Sequence, residues 1–133
     1  MQQWYEQRHA PAPGTFLCRA DEIGAGEVRE FSFGSETHVP FRMFLYNDNG
    51  TVRAYRNACP HFNVPLNYRP GDIFTTDRRQ FLCMTHYAKF NLHDGHCTEG
   101  PCEGEGLDVI PLCTDQGCLL IGNAQKAAPV LPR

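Results

Sequence analysis

The sequence predicts an all-β fold built from short antiparallel strands. Apolar and polar residues alternate over short stretches such as 30–33, which is typical of half-buried strands. Turn signals rich in Gly, Asn and Asp separate these stretches, for example at 47–50 and 114–117. The sequence contains no sustained apolar period of 3.6 residues, so an amphipathic helix is not expected.

Length and charge narrow the class of protein. A chain of 133 residues predicts one domain with a modest core. The net charge of −3 and the absence of a Lys/Arg cluster with aromatic neighbours argue against nucleic-acid binding and against an anionic membrane surface. Without an apolar N-terminal region or a segment long enough to span a bilayer, a cytoplasmic location is expected, with no membrane partner.

The first half of the chain predicts a base sheet. Residues 1–14 are interpreted as an irregular lead-in that lies against the domain. Strands are then predicted at 15–18, 30–33, 41–46 and 51–55. The last two form the clearest hairpin, because the Asn-Gly pair in the connecting segment 47–50 adopts the left-handed conformations that a tight turn requires.

The second half predicts one further short strand and two more hairpins. The short strand covers 80–82 and leads into a Cys/His cluster. One hairpin pairs 88–92 with 96–98, and the other pairs 107–112 with 118–121 across the turn 114–117. Residues 124–133 form a short Ala/Pro tail.

Two short clusters carry the chemistry of the chain. Cys59 and His61 form a C-x-H motif, Cys83 and His86 form a C-x-x-H motif, and 21 residues lie between the two motifs. Thiolate and imidazole both bind iron well, so two loops are expected to close on one metal centre. A two-Cys, two-His zinc finger groups like ligands together, whereas each cluster here holds one ligand of each kind.

This ligand order resembles that of the Rieske family, in which two Cys hold one iron of a 2Fe–2S cluster and two His hold the other. Residues 86–90, 94–97 and 100–104 are similar to the family's segment after the second ligand pair, its hairpin turn and its proline loop. The resemblance covers about residues 15–121. It implies Rieske-like antiparallel sheets in a single domain at 15–123, with a base sandwich or barrel into which a cluster-binding subdomain at about 58–105 is inserted.

The resemblance also implies the cofactor and its ligands. Cys59 and Cys83 would bind one iron as thiolates, and His61 and His86 would bind the other as neutral imidazoles. Cys97 and Cys102 are not assigned to iron. Pro60 and Pro101 are expected to stiffen their loops and cover the cluster. For Pro101 the alternative is a plain turn residue.

The function implied is that of a soluble single-electron carrier between a ferredoxin reductase and an oxygenase or similar acceptor. Such a protein has no small-molecule substrate and is not itself an enzyme. Two alternatives remain open: a small Rieske subunit of a larger oxidoreductase, as in assimilatory nitrite reductase, and a zinc-stabilised binding module. A self-contained oxygenase is not expected, because the chain lacks the carboxylate-x2-His-x3-4-His pattern and has no room for a catalytic domain.

Departures from the family pattern predict a low reduction potential. High-potential relatives have two disulfide-bonded cysteines at the positions that match Val64 and Thr85. They also have a Ser and a Tyr, which donate hydrogen bonds to sulfurs at the cluster, at the positions that match Ala88 and Phe90. Because hydrogen bonds to sulfur stabilise the more negative reduced state, a potential near about −150 mV is expected.

Three further features carry predictions. Cys113 and Cys118 flank the last predicted turn and could face each other across the strands, as reduced thiols or as a disulfide. Tyr87 is expected to shield the cluster, contact a partner or fill a gap. A possible docking patch for a basic partner consists of four acidic residues near the cluster end: Glu99, Glu103, Glu105 and Asp108.

Overall fold

The chain folds into short antiparallel strands, which confirms the predicted all-β class. The structure is a computed structural model that describes residues 3–34, 36, 39–60 and 62–123; the predicted tail at 124–133 lies outside them. Short 3-10 helices cover Trp4–Glu6 and Ala20–Glu22. The strands of the described residues are β1 (Phe16–Arg19), β2 (Val28–Phe33), β3 (Phe41–Asp48), β4 (Thr51–Arg56), β5 (Gln80–Leu82), β6 (Lys89–Asn91), β7 (Cys97–Glu99), β8 (Leu112–Asp115) and β9 (Cys118–Ile121).

The strands form three antiparallel sheets of three strands each within the described part of the chain. The orders are β2-β3-β4, β1-β9-β8 and β5-β6-β7. The β3–β4 hairpin closes through Asn49 and Gly50, whose φ angles of 55° and 101° are the left-handed values predicted for this turn. Its second strand leads directly into the first Cys/His cluster.

Strand β3 is buried on both faces and therefore separates two cores. Met43 and Leu45 belong to a base core that also contains residues of β1 and β9. Phe44 and Tyr46 belong to a second core that lies beside the Cys/His clusters. This double burial explains why the β3 sequence reads as a nearly continuous apolar run rather than a clean alternation.

The lead-in contributes to the base core. The side chain of Trp4 is only 6% exposed, and its ring centroid lies 6.1 Å from that of Phe41. The backbone N–H of Gly14 donates to the carbonyl of Ile121 in β9 (2.8 Å). The lead-in thus lies against the domain, as the sequence suggested.

The second core is built around one aromatic side chain of β5. Phe81 is fully buried, and its ring centroid lies between 5.0 and 5.7 Å from four other rings: those of Phe44, Tyr46, Tyr55 and Phe74. Aromatic pairs at these separations contribute beyond their buried area. This aromatic cluster holds β5, and the Cys/His loop that follows it, against the β2-β3-β4 sheet.

The prediction for the strand at 107–112 was wrong. The strand that pairs with β9 is β8, which begins at Leu112, and the turn consists of Gln116 and Gly117 alone. The preceding segment lies along β4 instead, where the Ile110 N–H donates to the Ala54 carbonyl (2.9 Å). The apolar pattern indicates burial but does not identify the pairing edge, and Pro111 has no N–H with which to extend β8.

The expectation that Cys113 and Cys118 face each other was also wrong. The register of the hairpin places Cys113 opposite Leu120 and Cys118 opposite Asp115, because the turn is two residues shorter than predicted. Both cysteines are free thiols.

None of the helices in the described ranges has the length and apolar character needed to cross a membrane.

Candidate metal centre

The first Cys/His cluster lies in a tight loop, residues 59–64, called loop 1 here. The Cys59 N–H donates to the Val64 carbonyl, and the Asn63 N–H donates back to the Cys59 carbonyl (both 2.7 Å). Asn63 has a φ of 57°, in the left-handed region that Asn tolerates better than most residues. His61, a predicted ligand in this loop, lies outside the described residues.

The second cluster lies in loop 2, residues 83–88, which repeats the same backbone pattern. The Cys83 N–H donates to the Ala88 carbonyl (2.9 Å), and the Tyr87 N–H donates to the Cys83 carbonyl (2.7 Å). Tyr87 has a φ of 62°, so both loops have a left-handed residue four positions after the cysteine.

Three of the four predicted ligands come together. The Sγ atoms of Cys59 and Cys83 and a ring nitrogen of His86 lie within 4.8 Å of one another. The two cysteines are at most 1% exposed. Cys59 is distant in sequence from the other two residues, and the packing of loop 1 against loop 2 brings them together.

The imidazole of His86 carries an unpartnered polar atom. Its Nδ1 is buried and has no hydrogen-bond partner among the described residues. Most buried polar atoms in native proteins are hydrogen-bonded, so an unpartnered nitrogen on an imidazole that lies beside two thiols fits a metal ligand. The ring of Phe62 from loop 1 stacks on the imidazole, with centroids 3.7 Å apart and planes inclined by 15°.

Burial controls the protonation of the thiols. It raises the pKa of Cys59 above its ordinary value, and the neighbouring sulfurs of Cys102 and Cys83 raise this pKa further. Burial also raises the pKa of Cys102. Since the thiolate is the metal ligand, a metal ion that binds Cys59 must displace its proton, and metal affinity is expected to rise with pH.

The long segment between the clusters bridges the two loops. Leu66, which is fully buried, donates its N–H to the Asn57 side chain (2.8 Å) and accepts from the Met84 N–H (2.7 Å). The Asn57 side chain, only 3% exposed, also donates to Asn67 Oδ1 (2.9 Å). One residue of this segment therefore ties the start of loop 1 to the start of loop 2.

The same segment is fastened to the base sheet and to the tip of loop 2. Glu30 of β2 accepts hydrogen bonds from the Asn67 side chain (3.1 Å) and from the Gly71 N–H. The Tyr68 hydroxyl lies 2.8 Å from the Thr85 hydroxyl. These contacts fix the path of the segment between the two clusters.

The proline loop, residues 100–104, packs against both ligand loops. Gly100 has a φ of 99°, and a Cβ at this position would lie 2.8 Å from Ala88 Cα, so the close approach to loop 2 requires glycine. Cys102 is fully buried, with its Sγ 2.9 Å from the Pro60 carbonyl and 3.6 Å from Cys59 Sγ. Sequence reasoning missed this contact, because it joins residues 43 positions apart.

The predictions for the exposed residues around the site still stand, except for one of the alternatives given for Tyr87. Tyr87 is 68% exposed, so its ring does not fill a gap in the core. Glu99 forms an ion pair with Lys89 (3.5 Å), and Glu103 is exposed. Docking of a basic partner to this acidic surface stays a prediction.

Two Cys/His loops that meet at one site on an all-β scaffold suit a metal or iron–sulfur centre. The family model of the Rieske [2Fe-2S] domain matches residues 15–125. The chain belongs to this family, which confirms the predicted resemblance and the predicted cofactor class.

Known proteins give the same result. The ferredoxin component of the p-cumate 2,3-dioxygenase system of Pseudomonas putida is 26% identical over 105 residues, which are 79% of this chain and 81% of that protein. The ferredoxin of carbazole 1,9a-dioxygenase from Nocardioides aromaticivorans IC177 superposes with a TM-score of 0.61 at 18% identity, over 84% of this chain and 98% of that one.

A third match comes from a solved complex of reduced oxygenase and oxidized ferredoxin in carbazole 1,9a-dioxygenase. It has a TM-score of 0.60 at 20% identity, and the match covers 80% of this chain and 90% of that one. At these identities the solved structures establish the shared fold.

The described residues fit the family's cofactor. Two buried thiols and one imidazole nitrogen are donors that suit either an iron–sulfur cluster or zinc, so the donor set by itself does not choose between them. The family match favours the 2Fe–2S cluster. Such a cluster would supply one-electron redox chemistry, which amino-acid side chains at this site do not provide.

Proposed function

We propose that this protein is a cytoplasmic Rieske ferredoxin that carries single electrons from a reductase to an oxygenase or a similar acceptor. The observation that carries the proposal is the meeting of the Sγ atoms of Cys59 and Cys83 with a ring nitrogen of His86, in a chain that belongs to the Rieske family. The relatives named as ferredoxin components of dioxygenase systems support the choice of partners. The protein has no substrate or reaction of its own.

The proposed ligands are Cys59 and Cys83 on one iron and His61 and His86 on the other. The ligand role of His61 rests on its place in the C-x-H motif. The proposed domain covers residues 15–123, with the cluster-binding subdomain at about 58–105. The match of the family model to residues 15–125 supports the bounds of the domain.

We further propose that the centre has a low potential. Ala88 and Phe90 are fully buried and carry no hydroxyl that could donate to sulfur. Fewer donors leave the reduced state less stabilised. Protein-film voltammetry is expected to give a midpoint near about −150 mV; a midpoint well above zero would contradict this part of the proposal.

The first experiment is the visible absorption and EPR spectrum of anaerobically purified protein, before and after dithionite. A red-brown protein that bleaches and gives a rhombic reduced signal supports the proposal. A colourless protein with one zinc ion per chain overturns it.

Variants of the ligands sharpen this test. Cys83→Ala and His86→Ala are each expected to abolish the visible spectrum. Cys97→Ala is the matched control, because Cys97 is as buried as Cys83 but its thiol donates to the Glu99 carbonyl (3.2 Å). The control should keep its colour.

Charge-reversal variants test electron transfer from the reductase. Glu99→Lys and Glu103→Lys should slow reduction by a basic reductase, and the salt dependence of the rate should weaken. Unchanged rates at all ionic strengths would remove the acidic surface from the docking interface while leaving the cluster assignment intact.

A further inference from the structure

A third buried sulfur lies beside the two predicted cysteine ligands. Cys102 is fully buried, whereas its neighbours Pro101 and Glu103 are exposed. The proline loop therefore turns one thiol inward. That thiol lies 3.6 Å from Cys59 Sγ, and it is not one of the four proposed iron ligands.

The thiol of Cys102 has one proton and two acceptors within reach. The carbonyl of Pro60 lies 2.9 Å from its Sγ, and Cys59 Sγ lies 3.6 Å away. When Cys59 binds iron as a thiolate it has no proton to donate, so Cys102 must be the donor of any hydrogen bond between the two sulfurs. Hydrogen bonds to a charged acceptor are stronger than those between neutral groups, which favours the ligand sulfur over the carbonyl.

We infer that Cys102 donates its S–H to the ligand sulfur of Cys59 and thereby raises the reduction potential of the cluster. The inference rests on the proposed function, because it requires iron on Cys59. Reduction places additional negative charge on the cluster and its sulfur ligands, so a donor to Cys59 stabilises the reduced state more than the oxidised state. Cys102 thus helps to set the reduction potential. It supplies one hydrogen bond to sulfur at a site where Ala88 and Phe90 have no hydroxyl group to donate.

The chain contains a control for simple packing. Cys97 is also fully buried, and its thiol donates to the backbone carbonyl of Glu99 (3.2 Å) rather than to a ligand sulfur. Replacing either cysteine by alanine removes the same atoms from the same core. A difference in potential between the two variants therefore reports the contact with Cys59 and not the loss of packing.

The experiment is an EPR-monitored redox titration of the wild type, Cys102→Ala, Cys102→Ser and Cys97→Ala. For Cys102→Ala we expect the equilibrium constant for reduction to fall about tenfold, which equals a shift of about −59 mV for a one-electron couple. Cys102→Ser keeps a donor and should lie between the alanine variant and the wild type. Cys97→Ala should match the wild type.

Two results would overturn the inference: an unchanged potential in Cys102→Ala, or an equal shift in Cys97→Ala. If the alanine variant does not hold a cluster, Cys102→Ser is compared with Cys102→Val, which fills the space without a donor. The inference then requires the serine variant to have the higher potential, and equal potentials would refute it. A wild-type protein without the rhombic EPR signal would instead be a failure of the proposed function.

Discussion

The two ligand loops have the same backbone but different supports. In each loop the cysteine N–H donates to the carbonyl five residues later, and the residue at the fourth position donates back with a left-handed φ. Two residues before the cysteine, however, loop 1 has the buried amide of Asn57 and loop 2 has the buried ring of Phe81. Loop 1 is held by a polar network and loop 2 by aromatic packing.

The difference reflects the neighbours of each loop. Asn57 faces the segment between the clusters, where the N–H of the buried Leu66 would otherwise have no partner. Phe81 faces β3 and β4, which present three aromatic rings to it: Phe44, Tyr46 and Tyr55. The same loop backbone can therefore be stabilised by a polar network or by aromatic packing, and the neighbouring segments determine which of the two is present.

Removing the aromatic support should have the largest effect on stability. Phe81→Ala is expected to lower the free energy of unfolding by about 3–5 kcal/mol, because it empties the centre of the aromatic cluster. Urea unfolding monitored by circular dichroism measures this. The control Phe16→Ala, at a residue that is 58% exposed, should change it by less than about 1 kcal/mol. Equal losses in both variants would contradict the central role of Phe81.

The buried tyrosine of β4 should make the stability of the fold depend on alkaline pH. Tyr55 is 1% exposed and donates its hydroxyl to the Leu92 carbonyl (2.9 Å), and burial raises its pKa to about 12. The fold favours the neutral phenol, so this contribution is complete below about pH 10, where unfolded tyrosine ionises, and is lost as the pH rises towards 12. The full loss is on the order of 3 kcal/mol.

The test compares wild type with Tyr55→Phe, since their difference cancels all other titrating groups. We expect the unfolding free energy of the wild type to fall more steeply between about pH 10 and 12 than that of the variant. Parallel curves would show that Tyr55 keeps an ordinary pKa in the folded protein.

Breaking the polar support should cost less. Asn57→Ala leaves the buried Leu66 N–H without its acceptor and is expected to destabilise by about 1–3 kcal/mol. Asn67→Ala, at a half-buried site, should cost less. The double variant should lose less than the sum of the two single losses, because the side chains form one network. Strict additivity would argue that the two amides act independently.

The smallest effect concerns the left-handed residues of the loops. Tyr87 occupies a conformation that costs an ordinary residue about 1–2 kcal/mol, whereas Asn63 tolerates it. Tyr87→Gly should therefore stabilise the fold by about 0.5–1 kcal/mol after the entropic cost of glycine, and Asn63→Gly should change little. A destabilised Tyr87→Gly would mean that the exposed ring supports the fold. A stabilised variant with impaired partner reduction would favour a role for this ring in docking.

The sequence predicted much of this site from local patterns. The Cys/His spacing predicted two loops that meet at one site, and the structure brings Cys59, Cys83 and His86 together there. The Asn-Gly pair predicted the β3–β4 turn. Both predictions depend on residues that are close together in the chain. The bounds of β5 were also predicted, since a short apolar strand directly precedes Cys83.

The two wrong predictions have the same physical cause. The strand predicted at 107–112 was assigned to the last hairpin, but residues 108–110 lie along β4 instead. The pairing of Cys113 with Cys118 failed because the predicted turn was two residues too long. In both cases the pattern of apolar residues reported burial but not register or pairing edge.

The sequence by itself determined the all-β class and the pair of Cys/His loops, which are local features of composition and spacing. Only the tertiary structure decided that Leu66 bridges the loops and that Cys102 lies beside Cys59. These contacts depend on how distant segments close over a shared core, and that choice is made by the packing of the whole chain rather than by any one stretch of it.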